Sequence, residues 1–425
     1  MSVRGRWTVL RGVRVKLDPT PRQERMLRSH AGAARFAYNT MLGMVKDALD
    51  GKIEGFGWSR AELRRIWNAC KVRVAPWYAD NSKEAYSYGV ECLASALRNW
   101  SDSKKGRRKG RKTGFPKFKS RNRHMKFAYT TGSFGLVRDD PKALKLPRIG
   151  RVHCFEDVEK RVGVGRVIRM TVSCVAGCWY ASLCVEYPDP AGLGKTGGGT
   201  VGIDLGVKTL ATLSDGAVVE NPKHYRRNER KLRRAGKRLS RRVKGSNRWK
   251  RAKLAVQKQH SRIASQRRDT IGKATTMIAR TYGHVVIEDL NVEGMKHDHC
   301  LARAVSDAAF GEFRRQLEYK CSDTGTVLTV ADRWYPSSKT CSRCGTVKAK
   351  LSLAERVFVC DNPDCEYARE GVDRDWNAAK NLEHYVAGSA PGDGKRAPRS
   401  RKTTSPLEVG NAGTVETRTK QPGGA

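Results

Sequence analysis

Val13-Arg14-Val15-Lys16-Leu17 alternates apolar and polar residues like a strand with one wet face. Asp18-Pro19-Thr20-Pro21 ends that strand, and Thr20 and Pro21 are placed to start a helix. Over residues 23–50, Met26, Leu27, Ala31, Ala34, Phe36, Ala37, Met41, Leu42 and Val45 recur at helical spacing. Residues 58–70 and 82–100 give two further helices, so a helical unit is predicted from residue 20 to about residue 102. Residues 124–188 return to strand patterning. There, residues 167–174 and 179–186 predict a hairpin turned at Ala176-Gly177. With the strand at 13–17, these strands predict a β-barrel interrupted by the helical insertion.

Residues 189–200 are rich in glycine and short of apolar residues, the composition of a linker. Beyond it, Val201-Gly202-Ile203-Asp204-Leu205-Gly206-Val207 reads as a buried strand carrying one carboxylate. Gly206 turns it into a second strand, Lys208-Thr209-Leu210-Ala211-Thr212-Leu213, closed by Ser214-Asp215-Gly216. Residues 223–268 predict a long, thinly anchored helical pair, and residues 271–282 a more ordinary helix. That helix leads into the strand His284-Val285-Val286-Ile287-Glu288-Asp289-Leu290. A last helix is predicted to open within Asp373-Arg374-Asp375-Trp376-Asn377-Ala378-Ala379-Lys380-Asn381-Leu382.

Charge changes the picture. The 425 residues hold 84 Lys+Arg against 42 Asp+Glu, a formal net charge of +42. Such a chain repels itself unless a polyanion neutralises it, and nucleic acid is the default polyanion. The cations run along the whole chain, which predicts a long footprint rather than a basic tail. The densest stretches are Lys104 to Lys112, followed by Phe115-Pro116-Lys117-Phe118, and the helical pair from Arg226 to Lys253. Aromatic residues among the cations favour contact with a nucleic-acid backbone over a merely solvated loop. Residues 1–6 do not lead into the apolar run of a signal peptide, and no apolar run approaches the ~20 residues of a membrane span. The expected location is the cytoplasm.

Candidate chemistry sits at two places. Asp204, Glu288 and Asp375 each lie beside an apolar strand or at a helix start, rigid supports of the kind a metal ligand needs. The order strand–turn–strand, an acid at a later strand end, then an acid opening a helix resembles the RNase H-like plan. Three carboxylates can hold hard Mg2+, and two such ions ~4 Å apart clamp the attacking and leaving oxygens of a phosphodiester. Asp289 and Asp373 are the alternatives to Glu288 and Asp375. Glu288 is preferred because it follows directly on Val285-Val286-Ile287, and Asp375 because it opens the helix. The second place is Cys341-Ser342-Arg343-Cys344-Gly345 with Cys360-Asp361-Asn362-Pro363-Asp364-Cys365, which reads as a four-thiolate Zn2+ ribbon. All-thiolate ligation predicts a structural role. The second cysteine pair has four intervening residues where two are usual. The other eight cysteines are scattered and read as reduced residues; Cys174 and Cys178 could be offered as a metal pair, but no second close pair lies near in sequence, and the hairpin reading is preferred.

Four motifs together resemble the TnpB family of transposon-encoded RNA-guided nucleases, relatives of the compact type V CRISPR effectors. They are Gly202-Ile203-Asp204-Leu205-Gly206, Ile287-Glu288-Asp289-Leu290, the run from Ser337 to Gly345, and the run from Asp373 to Asn381. Lys16-Leu17-Asp18-Pro19-Thr20-Pro21 and Ala34-Arg35-Phe36-Ala37-Tyr38-Asn39 resemble the family's opening strand and first helix. The resemblance covers residues 10 to about 388.

It implies an α/β RNase H-like, RuvC-type nuclease domain (residues 196–335 and 369–388) with an inserted zinc ribbon (336–368). Before these would come a β-barrel wedge domain (1–19 and 121–195) with a helical recognition insertion (20–120), and after them a disordered basic tail (389–425). By the same resemblance, Asp204, Glu288 and Asp375 would hold two Mg2+ ions, and Cys341, Cys344, Cys360 and Cys365 one Zn2+. A guide RNA would direct the protein to double-stranded target DNA beside a short flanking motif, with base pairing reading the sequence. Rival readings are a guided or zinc-dependent DNA-binding regulator that does not cut, and a transposase. An ATPase of the actin and sugar-kinase superfold is a third, but it lacks later glycine-rich nucleotide loops and conflicts with the charge.

Overall fold

The computed structural model describes residues 8–121, 124–188, 197–352 and 354–385. The predicted tail at 389–425 and most of the predicted linker lie outside these residues.

Strand β1 (Thr8–Asp18) extends the predicted strand in both directions. Helix α1 (Pro21–Leu49) follows, started by a capping box in which Thr20 and Gln23 satisfy each other's backbone amides. Its buried stripe includes Leu27, Ala34, Met41, Leu42 and Val45. Helices α2 (Arg60–Val74) and α3 (Lys83–Lys104) complete the helical unit, with Ser59 and Ser82 as N-caps. Six strands and a short helix follow in the order β2 (Lys126–Tyr129), β3 (Gly135–Val137), β4 (Asp140–Leu146), β5 (Gly150–Cys154), α4 (Val158–Val162), β6 (Arg166–Val175) and β7 (Cys178–Pro188). The β6–β7 hairpin turns where expected. Ala176 and Gly177 both hold positive φ (52° and 80°), as a two-residue hairpin turn requires.

The seven strands pair in the order β2-β6-β7-β1-β5-β4-β3. β1 joins the two halves: residues 8–16 pair with β7, and Leu17 and Asp18 pair with β5. Among the described residues, the outer strands β2 and β3 are not paired with each other. One apolar core unites this sheet with α1–α3, packing Phe127, Leu144, Val172 and Leu183 with Leu42, Trp67, Tyr86 and Leu93. The helices are therefore bonded to the sheet through a shared core.

The second half opens with β8 (Thr200–Asp204), β9 (Thr209–Leu213) and β10 (Val218–Glu220). Helices α5 (His224–Ser240) and α6 (Asn247–Thr281) follow, then β11 (His284–Ile287). Helix α6 merges the second arm of the predicted helical pair with the helix expected at 271–282. The junction has no breaker strong enough to stop it, and Ile263, Ile271, Ala274 and Ile278 continue one buried stripe. After α7 (Val292–Met295), α8 (Ala302–Ala308) and α9 (Phe310–Thr324) comes β12 (Val327–Val330). The chain then forms β13 (Val357–Phe358), α10 (Glu366–Arg369), β14 (Val372–Asp373) and α11 (Arg374–Glu383).

The second sheet has the order β10-β9-β8-β11-β12. β9 is antiparallel to its neighbours, while β8, β11 and β12 run parallel. One face packs on α6 and α9 through Val201, Ile203, Val285, Ile287, Ile278 and Phe313. The other face meets α11, where Val286 packs with Leu382. This makes a helix–sheet–helix sandwich. Among the described residues, no helix is long and apolar enough to cross a membrane.

Candidate functional site

Strand periodicity and register align the first two carboxylates. Val201 and Ile203 turn toward α6 and α9, so Gly202 and Asp204, at the alternate positions, fall on the α11 face. In β11 the same alternation sends Val285 and Ile287 to the core and Val286 to α11, and Glu288 follows on the side of Val286. Val286 is level with Gly202 and Ile287 with Ile203. The two parallel strands therefore end with Asp204 and Glu288 abreast on one face.

A glycine admits the third carboxylate. A Cβ at Gly202 would stand 1.9 Å from the Ala379 carbonyl oxygen and 2.3 Å from the Glu383 amide nitrogen. Only a bare backbone lets α11 cross there. One helical turn back from Ala379, about 5.4 Å along the axis, the first turn of α11 carries Asp375 over the strand ends.

The electrostatics agree with this grouping. Burial, then the charges of Glu288 and Asp375, push the Asp204 carboxyl well above its ordinary range. Burial also raises the Glu288 carboxyl, against a hydrogen bond donated by the Ser337 hydroxyl. The sequence alternatives are committed elsewhere. Asp373 caps α11, accepting from the amides of Asp375 at 3.0 Å and Trp376 at 2.9 Å. Asp289 is paired with Arg314 at 2.6 Å and Arg333 at 2.5 Å. Those hydrogen bonds outweigh its burial and hold its carboxyl below the ordinary range.

Asp204, Glu288 and Asp375 form a partly desolvated, mutually repelling, all-oxygen set, which suits hard divalent cations. Among the described residues, the His, Cys, Asp and Glu groups whose ligand atoms all lie within 4.8 Å are the four cysteines and the exposed Asp298-His299-Cys300. The three carboxylates are spread more widely than that.

Cys341, Cys344, Cys360 and Cys365 converge, with sulfurs 3.7 Å apart for Cys341–Cys365 and 3.5 Å for Cys344–Cys360. Four thiolates about 2.3 Å from a tetrahedral Zn2+ stand about 3.8 Å from one another, so the cluster fits that ion. Gly345, at φ 78°, turns the knuckle and donates its amide to the Cys341 carbonyl at 2.9 Å. Hydrogen bonding with the Thr346 side chain, then with its backbone, brings the Cys344 thiol down to about 6. The wide second pair still closes: Pro363 and Asp364 are exposed, and the Cys365 amide donates to the Asn362 carbonyl at 3.1 Å. All the other cysteines are free thiols, and Cys174 and Cys178 flank their hairpin turn.

Three residues without a predicted role tie the two clusters together. Asn377 and Asn381, both buried in α11, donate to the Thr340 carbonyl at 2.7 and 2.6 Å. Asn381 also donates to the Ser337 carbonyl at 2.7 Å, and Asn377 accepts from the Ser342 amide at 2.9 Å. Ser337 and both asparagines stand in the sequence motifs. Their partners lie 35–49 residues away in the chain, where no local pattern reveals them.

Three family profiles match the chain: "Helix-turn-helix domain" over residues 8–52, "Probable transposase" (OrfB, IS605 type) over 182–298, and "Cas12f1-like, TNB domain" over 310–382. A cryo-EM structure of a Cas12f1–sgRNA–target DNA complex has the same fold, with TM-score 0.50 and 15% identity, covering 88% of this chain and 99% of that one. The fold is thus of the Cas12f1 kind. A Mycobacterium tuberculosis relative, provisionally named an RNA-guided DNA endonuclease, is 34% identical over 409 residues, covering 89% of this chain and 87% of its own. At that identity and coverage, the chain belongs to the TnpB family. Relatives with the same provisional name are 44% identical over 238 residues in Streptomyces pristinaespiralis and 29% identical over 391 residues in Escherichia coli. The Streptomyces match spans 55% of this chain and 56% of that relative's length, the Escherichia match 88% and 91%.

Proposed function

We propose that this protein is an RNA-guided DNA endonuclease that cuts target DNA beside a short flanking motif. The observation that carries the reading is the convergence of Asp204, Glu288 and Asp375 on one face, at two parallel strand ends and a helix start. On this reading, residues 196–335 and 369–388 form a RuvC-type, RNase H-like domain. Its five strands, numbered along the chain, lie in the order third, second, first, fourth, fifth, with the second antiparallel. Residues 336–368 are its zinc ribbon, 1–19 and 121–195 the wedge barrel, and 20–120 the recognition insertion.

The three carboxylates would hold two Mg2+ ions, which when bound supply Lewis-acid stabilisation and an activated water for phosphodiester hydrolysis. The rigid strand ends fix Asp204 and Glu288, and the α11 cap at Asp373 fixes the approach of Asp375. The four thiolates would hold Zn2+ as a structural ion. Cations distributed over both halves would neutralise guide RNA and DNA. Arg25, Arg28, Arg35 and Arg121 line an open groove of about 540 Å3 with Phe36 and Trp77, a surface suited to the flanking duplex. Burial, then the nearby Arg121 charge, lowers the Arg35 guanidinium, as cations gathered on one wall would do, while Arg28 is paired with Glu24.

The test is to express the protein with the DNA flanking its gene, recover bound RNA, and offer a plasmid library with a matched target and randomised flank. Divalent-dependent cutting that disappears in Asp204→Ala is expected. RNA-dependent binding without cutting by the wild type would leave a guided regulator, and strand joining without bound RNA would leave a transposase, the description of one matching profile.

A further inference from the structure

We propose that Ser337 is a positioning residue for Glu288, and that the cysteine knuckle holds Ser337 in place. The inference rests on the carboxylate reading above. Ser337 is 2% exposed, and its hydroxyl donates to one carboxylate oxygen of Glu288, whose charge is felt at Asp204. A glutamate on a strand end has several side-chain torsions to settle, and a single buried donor selects one of its rotamers.

Ser337 is itself fixed from several sides. Its carbonyl accepts from Asn381 at 2.7 Å, and its amide donates to the Tyr335 carbonyl at 2.9 Å. The Tyr335 hydroxyl in turn donates to the Asn381 carbonyl at 3.0 Å. Three residues further on, Thr340 receives Asn377 and Asn381 together, and the next residue, Cys341, enters the sulfur cluster. The stretch from Ser337 to Cys341 is therefore a short strut. One end touches Glu288, the other is a metal ligand set, and its middle is clasped to the helix that carries Asp375. Movement of the knuckle reaches two of the three carboxylates.

This view treats the knuckle as part of the carboxylate site's frame. It assigns the serine hydroxyl, rather than the backbone alone, to the orientation of Glu288. Threonine keeps that hydroxyl and alanine removes it, so the pair separates orientation from packing.

The experiment measures Mn2+ binding by electron paramagnetic resonance on full-length protein without nucleic acid, for wild type, Ser337→Ala, Ser337→Thr and Asp204→Ala. Each is checked for one Zn2+ per chain and a cooperative melt, and the two Ser337 variants for an unchanged melting temperature. Wild type stripped of zinc by a chelator, and shown to keep its circular dichroism, is the fifth sample. Removing a side chain that orients a metal ligand weakens metal affinity by about 10- to 100-fold. Ser337→Ala and the stripped protein are expected in that range, and Ser337→Thr within about threefold of wild type. In the cleavage assay, Ser337→Ala is expected to need more divalent cation for half-maximal cutting, with near-normal rate at saturation and unchanged guide-RNA binding.

Wild-type Mn2+ affinity in Ser337→Ala, or Ser337→Thr as weak as alanine, overturns the role of the hydroxyl. Wild-type affinity in the stripped protein overturns the role of the knuckle. If wild type has no Mn2+ binding that Asp204→Ala removes, the carboxylate reading falls first, and the Ser337 proposal falls with it.

Discussion

Asp204 is where the cost of the site is concentrated. Its carboxyl is buried beside Glu288 and Asp375, so without a cation the folded chain holds a proton there more tightly than the unfolded chain does. A raised folded pKa means that metal-free stability declines as pH climbs from the ordinary carboxylate value, about 4, through the higher folded value. Asp204→Asn removes that decline. In chelator at neutral pH it should melt about 2–4 °C above wild type, and the two should converge in acid below the ordinary carboxylate range. Saturating Mg2+ should reverse the ranking, because only the wild type gains stability from binding it. Calorimetric scans at several pH values, with and without Mg2+, check all three statements. The same protons compete with metal, so the Mg2+ needed for half-maximal cutting should rise as pH falls. At this scale the sequence was informative about residue type and position. In the sequence, helix placement favours Asp375 over Asp373, and the geometry adds a reason: Asp373 is occupied as the α11 cap.

Among the elements, α11 organises the most. It covers the sheet across Gly202, carries Asp375 at its start, and clasps the knuckle through Asn377 and Asn381. Gly202→Ala forces a methyl group against the Ala379 carbonyl, so α11 must lift. Overpacking of this kind costs about 1–3 kcal/mol. The expected result is a lower melting temperature and lost cutting, with guide-RNA binding retained because α1–α3 and the first sheet are untouched. Guide binding lost in parallel would mean that the two halves unfold as one unit. Much of this level was legible from periodicity. The predicted starts of α1 and α3 lie within two residues of the observed ones because Thr20-Pro21 and Ser82 are strong local start signals. The merger of the two helices into α6 was not legible, since Arg267, Arg268 and Asp269 look like a surface break. In the fold, Arg267 is paired inward with Asp307 at 2.8 Å while Ile271 stays in the core stripe. The β2–β5 strands and the short β10 are too brief for the alternation to count them. The asparagine clasp is invisible locally, because buried amides become meaningful only when their distant carbonyls are known.

Across the whole molecule, the net charge of +42 becomes geometry. The β6–β7 hairpin tip rests against α6, where a Cβ at Gly177 would stand 3.2 Å from Leu254. Beside this contact lies an open groove of about 1410 Å3 between the seven-stranded sheet and α6. Its walls carry Arg14, Lys16 and Arg161 on one side and Arg268, Lys273 and Arg280 on the other. The Arg14 guanidinium lies 4.0 Å above the Tyr180 ring, a flat cationic stack that suits nucleobases as well as phosphates. Lys273 is already paired with Asp269 at 2.8 Å, which leaves Arg268 and Arg280 as the stronger phosphate partners on α6. If the groove holds the guide, each phosphate contact releases counterions. The logarithm of RNA affinity should then fall linearly with the logarithm of salt, by about 0.7–0.9 per neutralised phosphate. Replacing Arg268 and Arg280 together by alanine should lower that slope by about 1.4–1.8 and weaken binding equally for guides of different sequence. The same double change on exposed Arg238 and Arg242, at and just beyond the far end of α5, is the comparison. Filter binding across a salt series separates the cases. Equal slope losses from both pairs would mean that the cations act as a diffuse cloud. A loss confined to the groove pair would mean that the RNA lies between the sheet and α6. The basic excess, featureless along the sequence, would then mark one path.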